Sequence, residues 1–258
     1  MPDTAAAAQF TVLGPDGAPL DSADPRLADL YSYPDNLQTC WVRGNMIASV
    51  DGGATAGGKS GALGGTGDRA VFEQMRHCAD VILVGAATVR TENYSGAQVP
   101  VAQRGIRQAR GQAEVPPIAV ITGSGRLDPD ARFFTHTEVT PLVLTCTAAY
   151  DDTRTRLGAL AEVIDASGAD PDDVDPAVAL RALADRGLLR VLTEGGPGVL
   201  GLLIAADLLD ELCLTVAPVL VGGAPPRITG GSAEVLTRMR PAHVLSDDDG
   251  YLYLRYTR

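Results

Sequence analysis

Short apolar runs recur along the chain between stretches with helical spacing, and this alternation predicts a layered α/β fold. Residues 80–85, 117–122, 142–145 and 189–193 are brief, rich in β-branched side chains and almost free of charge. Such strands lie in a parallel sheet covered on both faces. A longer strand is predicted at 41–50, closing on Asp51-Gly52-Gly53, and another at 212–217, ended by Pro218. Apolar spacing predicts helices over 69–78, 153–162, 176–186 and 198–209, with Asp68 capping the first. Ala86 to Arg90 opens a further helical turn. The segment 91–115 has no apolar run and carries Arg104, Arg107 and Arg110, so it reads as an irregular loop or short helix on the surface. Near the end, 242–246 and 251–256 flank Asp247-Asp248-Asp249-Gly250, a turn that predicts an antiparallel hairpin.

Strands alternating with helices over the first 210 residues give a mostly parallel central sheet, with the C-terminal hairpin as an antiparallel edge. Residues 1–36, rich in Asp, Pro and Ala, are expected to drape as an N-terminal extension over one domain at 37–258. With 45% apolar residues, the chain can hold its core without metal or disulfide. Its four cysteines (Cys40, Cys78, Cys146 and Cys213) are widely spaced, and its three histidines are scattered, so no metal site is expected. The net charge of −11 argues against nucleic acid and anionic lipid as partners. No basic leader precedes an apolar run, and no apolar stretch approaches the roughly 20 residues of a membrane span. A cytoplasmic enzyme is expected.

The candidate chemistry gathers at the strand ends. A buried strand runs into Glu194-Gly195-Gly196-Pro197-Gly198-Val199-Leu200-Gly201 and a helix, a turn suited to phosphate on exposed N–H groups. Its G-x-G-x-x-G match lies near the C-terminus, and no strand ending in an acid follows about 20 residues on, so a dinucleotide fold of the Rossmann type is rejected. Three other strand ends, 49–53, 84–88 and 122–126, are likewise small, glycine-bearing and polar. Ligands of open α/β sheets bind beyond the carboxyl ends of the strands, so the four loops read as one rim. Asp51 and Glu194 are its carboxylates, able to bond a ligand amide or place a proton, although Asp51 also suits a plain turn. Arg126 could meet a ribose 2′-phosphate or simply face solvent.

Asn45-Met46-x-x-Ser49-x-Asp51-Gly52, Asp80-x-Ile82-Leu83-Val84-Gly85-x-x-Thr88-Val89, Glu194-Gly195-Gly196, Leu209-Asp210-Glu211-Leu212 and Pro218-x-x-x-Gly222-Gly223 stand in one order. Together they resemble the pyrimidine reductases of riboflavin biosynthesis, over about 41–256. The resemblance implies a dihydrofolate-reductase-like three-layer α/β fold, a homodimer and an NADPH-dependent oxidoreductase. Its substrate would be the ribosyl imine of a 5-amino-6-(5-phosphoribosylamino)pyrimidine, reduced to the ribitylamino form. It places Ala48, Gly85, Ala86, Thr88, Glu92, Thr122, Ser124, Arg126, Gly195, Gly196, Gly198, Val199 and Leu200 at the cofactor. Ser60, Arg76 and Glu194 fall to the substrate, with Arg76 on its phosphate. Asn45 and Asp51 fall beside the nicotinamide, with Asp51 or a water as proton donor. Where the family often has Asp, this chain has Glu92. The deaminase signature H-x-E with P-C-x-x-C is absent, so a stand-alone reductase without zinc is expected. A pterin or folate reductase of the same fold and a non-catalytic nucleotide sensor are the alternatives.

Overall fold

The structure of the protein is a computed structural model that describes residues 7–14, 17–231 and 234–258. Strands β1 (Gln9–Val12) and β2 (Pro19–Asp21) and helix α1 (Pro25–Leu30) come first, then β3 (Trp41–Ser49) and α2 (Thr66–Cys78). The middle of the chain gives β4 (Val81–Gly85), α3 (Ala86–Thr91), α4 (Val101–Ala109), β5 (Ile118–Thr122), α5 (Arg132–Thr135), β6 (Leu142–Thr145), α6 (Thr147–Leu157) and β7 (Glu162–Asp165). The last part gives α7 (Pro176–Ala184), β8 (Arg190–Thr193), α8 (Pro197–Ala205), β9 (Glu211–Ala217), β10 (Arg240–Asp247) and β11 (Leu252–Thr257).

Among the described residues, all the strands join one sheet in the order β2-β1-β10-β11-β9-β3-β8-β4-β5-β6-β7. Pairing is parallel from β9 through β3 and β8 to β7, and antiparallel from β9 outward to β2. The α/β class, the parallel centre and the C-terminal hairpin are as the pattern predicts. Val81, Ile82, Leu83 and Val84 of β4 are completely buried, as a strand with helices on both faces requires.

Several local expectations need correcting. Helix α2 begins at Thr66 on Gly65, and Asp68 sits inside its first turn rather than capping it. The stretch 91–115 holds the regular helix α4, and Arg107 on it is fully buried rather than on the surface. Its guanidinium donates to the carbonyls of His77 and Ala79 at the end of α2, which have no helical partners of their own. The helix expected at 153–162 lies earlier, at α6; a 3-10 turn at Gly158–Leu160 follows it, and the edge strand β7, where Ile164 alone is buried, begins at Glu162. Helix α8 stops at Ala205, four residues short of the expected end.

Residues 9–21 extend the sheet, because β1 pairs with β10 and β2 with β1. Phe10, Leu20, Leu27 and Tyr31 join Val71, Met75 and Tyr253 in a core cluster under α2. A buried charge network locks α1 in place. Glu211, on β9, accepts from Nε of Arg43 at 2.5 Å and from Nε of Arg255 at 2.8 Å. Those arginines spend their other N–H groups on the carbonyls of Leu30, Tyr31 and Ser32. Arg43 and Glu211 are both wholly buried, and each charge finds its partners inside the protein.

Candidate active site

A cavity of about 960 Å³ opens beyond the carboxyl ends of the parallel strands. One wall is the turn from Glu194 to Val199 with Gly85, Ala86, Ala87 and Thr88 beside it; Thr122 and Gly123 continue that wall. The other wall is α2, through Asp68, Arg69, Phe72 and Glu73, and the glycine-rich loop that precedes it. Asn45, Met46 and Ile47 form the floor from β3. Three of the four rim loops therefore converge. The fourth turns away.

The glycine turn leaves room for a ligand. The Gly195–Gly196 peptide is cis, and Gly195 has φ of +96°, a region that glycine adopts without strain. A Cβ on Gly196 would lie 2.8 Å from Oγ1 of Thr88, and one on Gly85 would lie 3.0 Å from Val199. Helix α8 starts at Pro197 on Gly196 with no side chain capping it, and of its first residues Pro197 has no N–H while those of Val199 and Leu200 return to the Gly196 carbonyl. These features suit a nucleotide phosphate.

The expected substrate ligands Arg76 and Glu194 bind each other instead. Nε and Nη2 of Arg76 each donate to a Glu194 oxygen at 2.6 Å, and the hydroxyl of Tyr94 donates to the same carboxylate. The Glu194 side chain is only 2% exposed. Burial opposes the Arg76 charge, but Glu194 outweighs it and the guanidinium pKa rises. Burial and then Glu194 push Tyr94 well above its ordinary value, so it stays a neutral donor. Arg76 does not line the cavity, and its Nε and Nη2 are spent on Glu194. Ser60 and Glu92, assigned to substrate and cofactor, also pair: Glu92 accepts from the Ser60 N–H at 3.0 Å and its hydroxyl at 2.9 Å. That latch fixes the glycine loop against the end of α3.

Asp51, expected near the nicotinamide, must be reassigned. It accepts from the Ser49 hydroxyl at 2.5 Å and from the N–H groups of Gly222 at 2.8 Å and Val221 at 3.1 Å. Those bonds, the Ser49 one foremost, pull its pKa down to about 2. Here the carboxyl does not line the cavity and ties the 219–222 loop to the end of β3. Leu200 is wholly buried and packs in the main core, so it is no ligand. Ala48 is buried too and does not line the cavity. Ser124 and Arg126 are exposed just beyond the lining residue Gly123. Gly85, Ala86, Thr88, Glu92, Thr122, Gly195, Gly196, Gly198, Val199, Asn45, Ser60 and Glu194 do line it.

Sequence reasoning passed over Asp68, Arg69, Phe72 and Tyr94. Asp68 is half-buried; burial raises its pKa and the Thr215 hydroxyl on β9 partly opposes that. Asp68, Phe72 and Arg76 follow at four-residue spacing, and Arg76 lies 4.3 Å over the Phe72 ring. That spacing was visible in the sequence, but the sequence does not say which face of α2 meets the strand ends. Among the described residues, no group of three or more His, Cys, Asp or Glu side chains could hold a metal ion. No helix there is long and apolar enough to cross a membrane.

Residues 40–253 match the family described as the RibD C-terminal domain. The chain belongs to this family. It is 32% identical over 194 residues to the riboflavin biosynthesis protein RibD of Bacillus amyloliquefaciens, covering 74% of this chain and 49% of that one. It is 30% identical over 184 residues to RibD of Mycobacterium tuberculosis, covering 70% and 43%. The chain thus spans about half the length of these RibD relatives. A solved structure described as a pyrimidine reductase-like protein, from Corynebacterium diphtheriae, is 29% identical with a TM-score of 0.76, covering 84% of this chain and 91% of that one. Of the family blocks quoted from the sequence, Asn45-Met46, Gly85 to Thr88 and Glu194-Gly195-Gly196 fall on the floor and the glycine wall of the cavity, whereas 209–212 and 218–223 do not line it. The helical wall carrying Asp68 and Phe72 lies outside those blocks, although inside the family match.

Proposed function

We propose that the chain is an NADPH-dependent reductase that converts the ribosyl imine of a 5-amino-6-(5-phosphoribosylamino)pyrimidine to the ribitylamino form. One observation carries the reading: in a member of the RibD reductase-domain family, the cavity joins a bare glycine turn to a polar helical wall across the sheet edge. When bound, a reduced nicotinamide supplies the hydride. Backbone N–H groups of the turn at Gly195, Gly196 and Gly198 hold the pyrophosphate, with Thr88 and Thr122 beside it. Ser124 and Arg126 stand where the adenosine end would emerge. Asn45, on the floor, aligns the substrate ring. Arg69 is the basic side chain on the cavity wall and takes the phosphate role expected of Arg76. A homodimer belongs to the same proposal, supported by Val50, Val219 and Leu220, exposed side by side at 63%, 42% and 77%.

The test is loss of absorbance at the reduced nicotinamide band when the phosphoribosylamino-pyrimidine is added. NADPH binding without turnover would point to a sensor. A second reading, reduction of an unphosphorylated pterin in the same cavity, is favoured by the wall charge: Asp68, Glu73 and Glu92 against Arg69, with Glu194 offset by Arg76. Turnover of the pterin but not of the phosphorylated pyrimidine would establish it.

A further inference from the structure

The glycine-rich loop before α2 is anchored at its two ends and held at one point between them. Ala54 and Leu63 are the buried ends. The Ala54 N–H donates to the Pro226 carbonyl at 2.9 Å, and the Tyr251 hydroxyl donates to the Leu63 carbonyl at 3.0 Å. Between them Gly57, Gly58, Lys59, Gly61 and Ala62 are exposed, and the stretch has no large apolar side chain to bury. Gly57 and Gly58 have φ of +58° and +82°, left-handed backbone that glycine adopts without strain and that makes a ready hinge. Ala56 and Lys59 bond each other, inside the loop. Among the described residues, the hydrogen bonds that tie 55–62 to the rest of the protein are the two from Ser60 to Glu92. Both end on one oxygen, Oε1, of a carboxylate fixed at the end of α3. Gly58, Ser60 and Gly61 line the cavity, so the part of the loop held in this way is the part that walls it.

We infer that this loop is a lid and that Glu92 is its latch, a positioning residue that acts on the cavity through Ser60. Hydrogen bonds to a carboxylate are the stronger kind, and both donors belong to one residue, so the two bonds form and break together. A loop with few apolar contacts opens locally at low cost once they are lost, while the rest of the fold stays closed. With the latch made, a ligand between the walls is enclosed and water is kept from the reacting atoms; with it broken, the ligand can leave. That the enclosed ligand is NADPH rests on the proposed function. The latch itself does not.

Lys59, the single lysine of the chain, precedes Ser60 in the loop and gives a direct readout. A lysine-specific endoproteinase can cut the native protein there alone, into 1–59 and 60–258. Where reclosing outpaces cleavage, the rate reports the open fraction. Glu92→Ala should be cut roughly tenfold or more faster than wild type, the worth of a hydrogen bond to a charged group. Glu92→Gln keeps the length and an acceptor oxygen and should fall between the two. Neither change touches the scissile sequence. Equal rates in wild type and Glu92→Ala overturn the inference. A merely structural loss would speed an arginine-specific protease at buried Arg107 by the same factor, and that outcome also overturns it. Bound NADPH should slow the cut at Lys59 in wild type, by about a hundredfold at about 100 Kd; a cut unslowed by bound NADPH overturns the lid. NADPH release should quicken in Ser60→Ala and Glu92→Ala, and the double variant should be no faster than Glu92→Ala. Effects that multiply would make the two residues separate ligand contacts and refute the latch. A protein that binds no NADPH fails the proposed function, and the cleavage ratio between wild type and Glu92→Ala still decides the latch.

Discussion

The guanidinium of Arg76 and the carboxylate of Glu194 lie fork to fork, 118 residues apart in sequence, with both N–O distances at 2.6 Å. The pair joins α2 to the end of β8 and so fixes the spacing between the two cavity walls. Its energy goes into the shape of the site. Removing one partner leaves the other buried and uncompensated, which is worse than losing both.

Arg76→Ala should therefore cost about 3–5 kcal/mol of stability. In a chain of this size, that lowers the thermal midpoint by roughly 2–4 °C for each kcal/mol. Arg76→Met combined with Glu194→Leu should lose less than Arg76→Ala alone. Calorimetric melting of these variants is the check, and a double variant worse than the single would refute the pairing argument.

Asp51 gives a pH signature instead of a catalytic one. Its folded pKa is depressed, so its contribution is present above the ordinary carboxyl range near 4 and is lost as pH falls toward 2. Asp51→Asn should melt below wild type at pH 6 and alongside it near pH 2. It should leave the pH profile of turnover unmoved; a lost proton-donor limb in that profile would restore Asp51 to the chemistry.

The sheet was legible in the sequence because buried parallel strands leave short apolar runs, and 80–85, 117–122 and 189–193 are of that kind. The glycine wall was legible for a related reason: glycine and a polar residue at a strand end mark close backbone approach. What could not be read was pairing between side chains distant in sequence. Arg76 and Glu194, or Ser60 and Glu92, look like free ligands until the fold sets them face to face. Arg107 shows the same limit, since a buried arginine is betrayed only by the carbonyls it satisfies. β1 and β2 were missed because each is short and has one buried residue, Phe10 and Leu20. A pattern needs more than one point.

His77 and His243 should make the fold sensitive to mild acid. Burial, followed by the neighbouring Arg107 for His77 and Arg255 for His243, lowers each pKa to about 4. The unfolded chain takes up these protons near the ordinary value of 6.5 while the folded one does not. Stability is thus full above about pH 6.5 and falls between pH 6.5 and 4, on the order of 2–3 kcal/mol for each residue. Chemical denaturation across that range measures it. His243→Gln should flatten the fall, and a slope equal to wild type would refute the assignment for that residue.

Two glycines of the α8 region should respond to alanine in opposite ways. At Gly201 the new Cβ would sit 1.6 Å from the carbonyl oxygen of Gly230, a backbone atom held by the Gly230 N–H bond to Pro197. The segment around Gly230 would have to leave the helix, so Gly201→Ala should lower the melting temperature sharply. At Gly196 the Cβ would meet Oγ1 of Thr88 at 2.8 Å, the end of a side chain that can rotate. The fold should tolerate that change, but the methyl would occupy the wall where a phosphate must approach the backbone. Gly196→Ala should keep a near wild-type melting temperature and weaken NADPH binding by roughly tenfold or more, equivalent to about 1.4 kcal/mol. Fluorescence titration with NADPH, run beside thermal melts, separates the two. Unaltered affinity in a folded Gly196→Ala would move the cofactor away from this turn.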